Sequence, residues 1–414
     1  MNEAKQKFRL TGLERAWILY DVGNSAFVLL VATLIPIFFN ALAEGGGLSS
    51  VEYLAYWGYA ASAVTVITAV LSPILGTLAD TRNFKKPIFT FCVAVGVIGC
   101  CAMGMASTWL PFLLIFIFAK VGFSGSLVFY DSMLSDVTVP DRMDEVSSKG
   151  YAWGYIGSCV PFVVCLALVL GAGSIGISQM TALNLALFIT AAWWLVTTLP
   201  LLRQYKQVHF VEVREHAIRQ SFARIGHTLR HLKEDRQVFW FLLAFFCYID
   251  GVYTIIDMAT AYGTALGLDT TGLLLALLVT QIVAFPSALV FGRLSGQYPS
   301  GTLIPVCIAA YAGIALFAFF LKHQWQFWVL AVVVGMFQGG IQALSRSHFA
   351  KIIPPEKSGE NFGLFDICGK GASFLGTMIV SVGSQLTGSA NVGVGSLIVL
   401  FIVGFVLFRV SDQK

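Results

Sequence analysis

Twelve stretches of mostly apolar residues, each about twenty or more long, follow one another along this chain. They lie near 16–42, 53–79, 87–107, 109–134, 149–172, 179–203, 237–266, 271–296, 302–321, 325–351, 361–387 and 392–410. A run of about 20 such residues spans the hydrocarbon core of a bilayer as a helix. Inside that core each backbone polar group must find its partner within the segment, which leaves helices as the economical solution. Composition agrees: of 414 residues 57% are hydrophobic and 12% charged, whereas soluble proteins carry about 25% charged residues. The pattern predicts an all-α membrane protein with twelve transmembrane helices, with the lipid bilayer as its solvent. It excludes a soluble enzyme or a nucleic-acid-binding module, since too few charges exist to cover a water-facing surface.

Charge bias gives the orientation. Of 26 Lys and Arg, Lys120 and Lys370 lie deep inside apolar stretches, and only Lys322 falls on the side shared by the odd-numbered connections. The remainder lie on or near the other side, so the positive-inside rule puts both termini in the cytoplasm. The N-terminal segment is charged and has no small-residue cleavage site, so it reads as retained rather than as a signal peptide. The longest hydrophilic segment, 204–236, divides the chain into an N-terminal six-helix bundle, 1–203, and a C-terminal one, 237–414. Within it Ile218, Phe222, Ile225, Leu229 and Leu232 recur at helical spacing opposite Arg219, Arg224, Arg230 and Lys233. That pattern predicts an amphipathic helix resting on the membrane surface as a linker. All eight cysteines fall in apolar stretches without CxxC spacing, which predicts buried thiols and neither disulfides nor a metal site. No nucleophile–base pair, metal-ligand cluster or phosphate-binding loop is present. The expectation is therefore a protein that is not an enzyme, has no cofactor and works as a monomer.

The sequence Gly76-Thr-Leu-Ala-Asp80-Thr-Arg82-Asn-Phe-Lys85-Lys86 resembles the loop signature of the major facilitator superfamily, and Gly292-Arg-Leu-Ser-Gly296 is a degenerate copy 216 residues later. In this signature Asp80 can accept hydrogen bonds from a neighbouring helix N-terminus while Arg82, Lys85 and Lys86 anchor to the cytoplasmic face. Four further stretches begin at Tyr20, Phe129, Asp250 and Gly339; the last contains Gln342-Ala-Leu-Ser-Arg346. Together they resemble the vacuole-effluxer-like branch of the superfamily, which includes an autophagy-related vacuolar amino-acid exporter and many bacterial proteins, over essentially the whole chain. The first motif departs from the usual pattern, with Val22-Gly23 in place of Trp-Ala. The antiporter signature of the fifth span is partial, with Gly154, Gly157 and Pro161. The resemblance implies a secondary active transporter of the bacterial inner membrane, with the first, fourth, seventh and tenth spans lining a central cavity and the Asp80 loop latching the cytoplasmic side.

Eight ionised side chains sit inside the apolar stretches: Asp21, Lys120, Asp131, Asp250, Asp257, Arg346, Asp366 and Lys370. A charge at the bilayer centre costs at least about 2.5–3.5 kcal/mol, and such residues are functional by default. Helical spacing gives each of the four cavity spans one polar face: Asp21, Asn24 and Ser25; Lys120, Ser124 and Asp131; Asp250, Thr254 and Asp257; Gln338, Gln342 and Arg346. Three groups follow from depth. Asp21, Asp131, Arg346, Asp366 and Lys370, with Asp80 and Arg82, are expected to form the cytoplasmic gate, Arg346 bridging Asp131 or Asp21. Asp366 and Lys370, four residues apart, are expected to pair within one helix. Lys120 and Asp250 near mid-depth are expected to hold a zwitterion, with Asn24, Tyr253, Thr254, Gln338 and Gln342 around it. Five acids face three bases, and an unpaired carboxylate in a low-dielectric site is disposed to take up a proton. Asp250, then Asp257 and Asp21, are the candidates for proton coupling. The solute expected is a small polar molecule, an amino acid or related zwitterion first and an amphipathic or drug-like compound second.

Overall fold

The computed structural model describes residues 9–212 and 235–412, and it is helical almost throughout. Among the described residues eleven helical stretches are long and apolar enough to cross a membrane. In chain order the helices are α1 (Gly12–Ala32), α2 (Leu34–Gly45), α3 (Ser50–Ala79), α4 (Lys85–Met103), α5 (Trp109–Ser132), α6 (Leu134–Val137), α7 (Pro140–Leu170), α8 (Gln179–Gln204), α9 (Arg236–Ala265), α10 (Thr270–Leu294), α11 (Ser300–Phe319), α12 (Gln324–Ile352), α13 (Ser358–Thr387), α14 (Ala390–Gly395) and α15 (Ile398–Asp412). The expected first span is two helices, broken at Thr33, and the expected last span is α14 followed by α15. The expected span 361–387 is the single helix α13, with Glu360, Asp366 and Lys370 along it. The predicted amphipathic helix of the central connection falls at 213–234, outside the described residues.

Local signals explain the boundaries. Thr11 and Glu14 form a reciprocal capping box at the start of α1, as Ser49 and Glu52 do for α3. Asp269 caps α10 through the Gly272 amide. Gly388, in the left-handed region at φ 66°, ends α13. The largest boundary error concerns α7. The sequence places its start near 149, yet the helix begins at Pro140, a residue suited to a first helical position. The polar run 140–148 looks like a loop because its partners are protein groups, Glu14 of α1 for Arg142 and α12 for Asp144 and Ser147, rather than lipid.

Helices before residue 205 pack chiefly among themselves, as do those after 235. Between these halves α3 lies along α13, and α7 lies along α10 and α12. Both described chain ends lie at one end of the bundle: Arg9 meets Arg142, Asp144 meets Lys351, and Asp412 lies beside Gly301. The hydrogen bonds between halves cluster in this terminus-bearing end. Toward the opposite end Asp257 is exposed and Lys120 partly so.

Candidate functional site

Arg346, on α12, closes the centre of the terminus-bearing end. Its Nη1 lies 3.0 Å from Asp131 Oδ1 on α5 and 3.7 Å from Asp21 Oδ2 on α1. Nε donates to Ser147 Oγ at 2.9 Å and Nη2 to the Ser147 carbonyl at 3.0 Å, both on α7. The guanidinium also stands 4.3 Å from the Tyr151 ring centroid, 4.7 Å from Trp17 and 5.3 Å from Tyr130. Trp17 and Tyr130 are stacked at 4.3 Å, and the Tyr130 hydroxyl donates to Asp21. An arginine fits this place because its planar fork serves several acceptors while its face rests on rings. Gly150 permits the approach: a Cβ there would lie 2.9 Å from Asp21 Oδ2 and 3.1 Å from Arg346 Nη2. Both bridges expected from the sequence, to Asp131 and to Asp21, are therefore present in one cluster.

A second contact lies beside it. The Asp80 carboxylate accepts from the Gly359 amide at 2.7 Å and the Glu360 amide at 2.8 Å, at the N-terminus of the 30-residue helix α13. A helix N-terminus favours an anion through its free amides and its dipole. Gly76 belongs to the same contact, since a Cβ on it would meet the Gly359 carbonyl oxygen at 2.2 Å. Burial pushes the Asp80 carboxyl up to about 6, against the opposing pull of Lys85 and the two amides. Lys85 is wholly enclosed: its Nζ donates to Ser358 Oγ at 2.7 Å and stands 3.7 Å from Asp80 and 3.8 Å from Asp136. This corrects the expectation that Lys85 anchors at the membrane face. Arg82, expected in the latch, instead makes an exposed pair with Glu212 at 3.2 Å.

One more expectation changes, and another gains a partner. Asp366 Oδ2 accepts from Ser72 Oγ on α3 at 2.8 Å, tying the halves together. The Lys370 side chain lies outside the described residues. Asp250 does not face Lys120 across the cavity. It is fully buried inside the second half, accepting from the Gly376 amide at 2.8 Å and from Thr254 Oγ1 at 3.3 Å. The helical face was right, but that face turns toward α13 rather than toward the first half. The acid that meets Lys120 electrostatically is Asp257, two turns further along α9. Lys120 also stands over the Phe123 ring at 4.8 Å. Asp257 is exposed as a residue and lies within electrostatic reach of Lys120.

Below this pair, toward Arg346, lie the uncharged candidates. Tyr253 is half-buried within electrostatic reach of Asp131, Asp257 and Asp366. Gln342 accepts from the Tyr155 hydroxyl of α7 at 2.9 Å. Asn24 Nδ2 and Gln338 Oε1 are buried with no hydrogen-bond partner among the described residues. Thr254 is turned away with Asp250.

The sequence missed several members of the closed end. Asp144 on α7 takes Ser347 Oγ at 2.6 Å and pairs with Lys351, both on α12. Ser147 Oγ also donates to the Ala343 carbonyl at 2.8 Å. Asp136, on α6, is enclosed with Lys85. Reading 140–148 as a loop hid Asp144 and Ser147; the acids and serines of that run recur three and four apart, which is a helical face.

The chain matches the family described as Vacuole effluxer Atg22 like over residues 13–141 and 135–414. It is 42% identical over 411 residues to YxiO, an uncharacterised MFS-type transporter of Bacillus subtilis (strain 168), covering 98% of this chain and 96% of the relative. It is 25% identical over 315 residues to Autophagy-related protein 22 of Coccidioides immitis (strain RS), covering 65% of this chain and 51% of the relative, so it spans about half the length of that fungal protein. Among solved structures the fold resembles the human organic anion transporter MFSD10 (TETRAN), with TM-score 0.72 and 14% identity over 96% of this chain and 98% of that one. It equally resembles the major facilitator superfamily transporter FucP in the outward conformation, with TM-score 0.72 and 17% identity over 97% of this chain and 98% of that one.

Proposed function

This chain belongs to the vacuole effluxer Atg22-like family, and on that premise we propose that it moves an amino acid or related zwitterion across a bacterial inner membrane by alternating access. It is a multi-pass integral membrane protein of the major facilitator type, a class of transporters of small molecules. One observation carries the finer reading. Lys120 from the first half and Asp257 from the second, opposite in charge, lie within electrostatic reach of each other, the acid exposed and the lysine partly so. A zwitterion answers both, its carboxylate toward Lys120 and its ammonium toward Asp257, and it links the two halves that must close upon it. Substrate sites of such transporters lie at the interface of their repeats.

The positive-inside bias assigns the terminus-bearing end to the cytoplasm. The arrangement is then outward-facing, with Arg346 and Asp80 closing the inner end. Movement to the inward-facing state requires the two six-helix bundles to rock, breaking the contacts of Arg346 with Asp21, Asp131 and Ser147 and those of Asp80 with α13. Proton coupling fits the same cluster: one guanidinium faces two carboxylates, Asp21 and Asp131, and a proton on the second acid balances the charge. Asp250, fully buried and with its Oδ2 lacking a hydrogen-bond partner among the described residues, is the other candidate for that proton.

A thermal-shift screen of purified protein against amino acids, peptides, sugars and organic anions tests the substrate class, because a ligand that binds only the folded state stabilises it by occupancy. The expected result is stabilisation by zwitterionic amino acids that is lost in Lys120→Gln and Asp257→Asn. Stabilisation by sugars alone, or by amino acids equally in both variants, sinks the proposal.

A further inference from the structure

The eight residues that leave α8 do not run freely away from the bundle. They lie extended beneath the loop that carries Asp80, and every second one is tied to it or to α6. Tyr205 donates its hydroxyl to Asp136 Oδ2. Gln207 Nε2 donates to the Ala79 carbonyl at 3.0 Å, and its Oε1 accepts from the Lys85 amide at 3.4 Å. His209 donates its amide to Asp136 Oδ1 at 2.8 Å, with its ring Nδ1 at 3.0 Å from the same oxygen. The Val211 amide donates to the Asp80 carbonyl at 2.7 Å, and Val211 pairs with Thr81 as a parallel bridge. Alternation by two is the signature of an extended chain. Between these residues the Val208 amide also donates to Asp136 Oδ1 at 3.2 Å, the Phe210 ring lies 5.1 Å from the Arg82 guanidinium, and Glu212 pairs with Arg82.

The loop is thereby held from two sides. On one side the Asp80 side chain enters the N-terminus of α13; on the other the backbone of 79–85 is pinned by residues 207 and 211. Asp136 joins the two, for it receives the Tyr205 and His209 groups and also stands 3.8 Å from Lys85, which bonds Ser358 of α13. With residues 205–212 in place, the Asp80 and Lys85 side chains are fully buried. A charge-assisted contact shielded from water is stronger than a hydrated one, and a loop already pinned loses less freedom on docking.

We infer that residues 205–212 are a strap that holds the inner latch closed, and that its release favours the inward-facing state. The inference rests on the reading of Asp80 as a latch. It makes the central connection of the chain a control point: whatever displaces this segment loosens a contact between the two halves that it does not itself touch.

Hydrogen exchange of the full-length protein in detergent or nanodiscs tests this. Val211→Pro deletes the one strap amide bonded to Asp80 while keeping an extended backbone. The expected result is at least tenfold faster exchange of the amides of 358–362, including Gly359 and Glu360, with exchange of α11 unchanged as the measure of an intact fold. Tyr205→Phe combined with His209→Ala, which leaves the backbone untouched, is expected to act in the same direction. Asp80→Asn, measured in parallel, separates the two ideas. If it loosens 358–362 while both strap variants loosen only 205–212, the latch stands and the strap is overturned. If none of the three changes 358–362, the latch reading fails and the strap with it.

Discussion

The two ends of the central cleft hold similar residues under opposite conditions. At the terminus-bearing end Arg346 is 3% exposed and engaged by Asp131, Asp21, Ser147 and three aromatic rings. At the other, Lys120 and Asp257 lie within electrostatic reach of each other, the acid exposed and the lysine partly so. Burial turns an ion pair into a fastener, because removing one partner strands the other charge in a low dielectric. Hydration leaves a pair free to exchange its partner for a solute. The residue types alone do not distinguish these roles; their access to water does.

The comparison is broken most directly at Arg346. Arg346→Ala leaves Asp21 and Asp131 without their cation and is expected to cost about 3–5 kcal/mol of stability, the usual loss when one member of a buried pair is removed. Thermal unfolding in detergent and uptake into proteoliposomes measure it, with transport expected to vanish. Arg346→Lys keeps the charge without the fork and is expected to recover only part of both. Unchanged unfolding and uptake in Arg346→Ala would show that the cluster fastens nothing.

Asp257→Asn and Lys120→Gln sharpen the contrast from the other side. Each removes a charged partner from the solute, worth about 1.5–3 kcal/mol or roughly 10–100-fold in affinity. Stability is expected to stay within about 1 kcal/mol, since a hydrated pair contributes little. A fall in unfolding temperature as large as that of Arg346→Ala, with ligand affinity intact, would recast Lys120 and Asp257 as a second fastener.

How much of this was legible in the sequence follows from the same physics. Helix type is written in apolar length, and nearly every span was placed to within a few residues. The polar faces of α1, α5, α9 and α12 followed from spacing, and so did the bridge from Arg346 to Asp131. Which way a face turns is a matter of tertiary packing. Asp250 and Asp257 are seven residues apart, close to two turns, so spacing put both on one stripe; packing against Gly376 of α13 then withdrew one and left the other in the cavity. Asp144 and Ser147 were missed for the complementary reason: hydropathy registers burial in lipid, and these residues are buried by another part of the protein. Lys85 was misjudged in the same way, a basic residue near a membrane face that is in fact enclosed by Asp80, Asp136 and Ser358.

The Asp80 latch carries a pH dependence of definite sign. Its carboxyl is raised to about 6 in the latched state, from an ordinary value of 3.8. The latched form therefore binds the proton more tightly than an unlatched form in which Asp80 is hydrated. Acid favours the latch, and the advantage fades as pH rises through about 6. Lowering pH from 7 to 5 is expected to shift the latched-to-unlatched ratio about tenfold toward latched. The exchange rate of the Gly359 and Glu360 amides measures it, and Asp80→Asn is expected to flatten the dependence. A latch that loosens in acid would mean that the ionised carboxylate is the preferred form there.

The smallest effect belongs to Arg82, and it is informative for being small. Arg82 and Lys85 occupy one basic cluster in the sequence, but the structure separates them completely. The Arg82–Glu212 pair leaves side chains 62% and 68% exposed, with the guanidinium also over the Phe210 ring at 5.1 Å. Exposed pairs of this kind are worth about 0–1 kcal/mol, so Arg82→Ala is expected to change stability by no more than about 0.5 kcal/mol and to leave exchange at 358–362 nearly unaltered. Glu212 closes the strap, however, so any residual effect has a defined route: it should appear first as faster exchange in 205–212. A loss of several kcal/mol, or loosening at 358–362 without loosening of the strap, would place Arg82 in the latch itself and undo the distinction between a buried and a hydrated charge on which the comparison of the two ends rests.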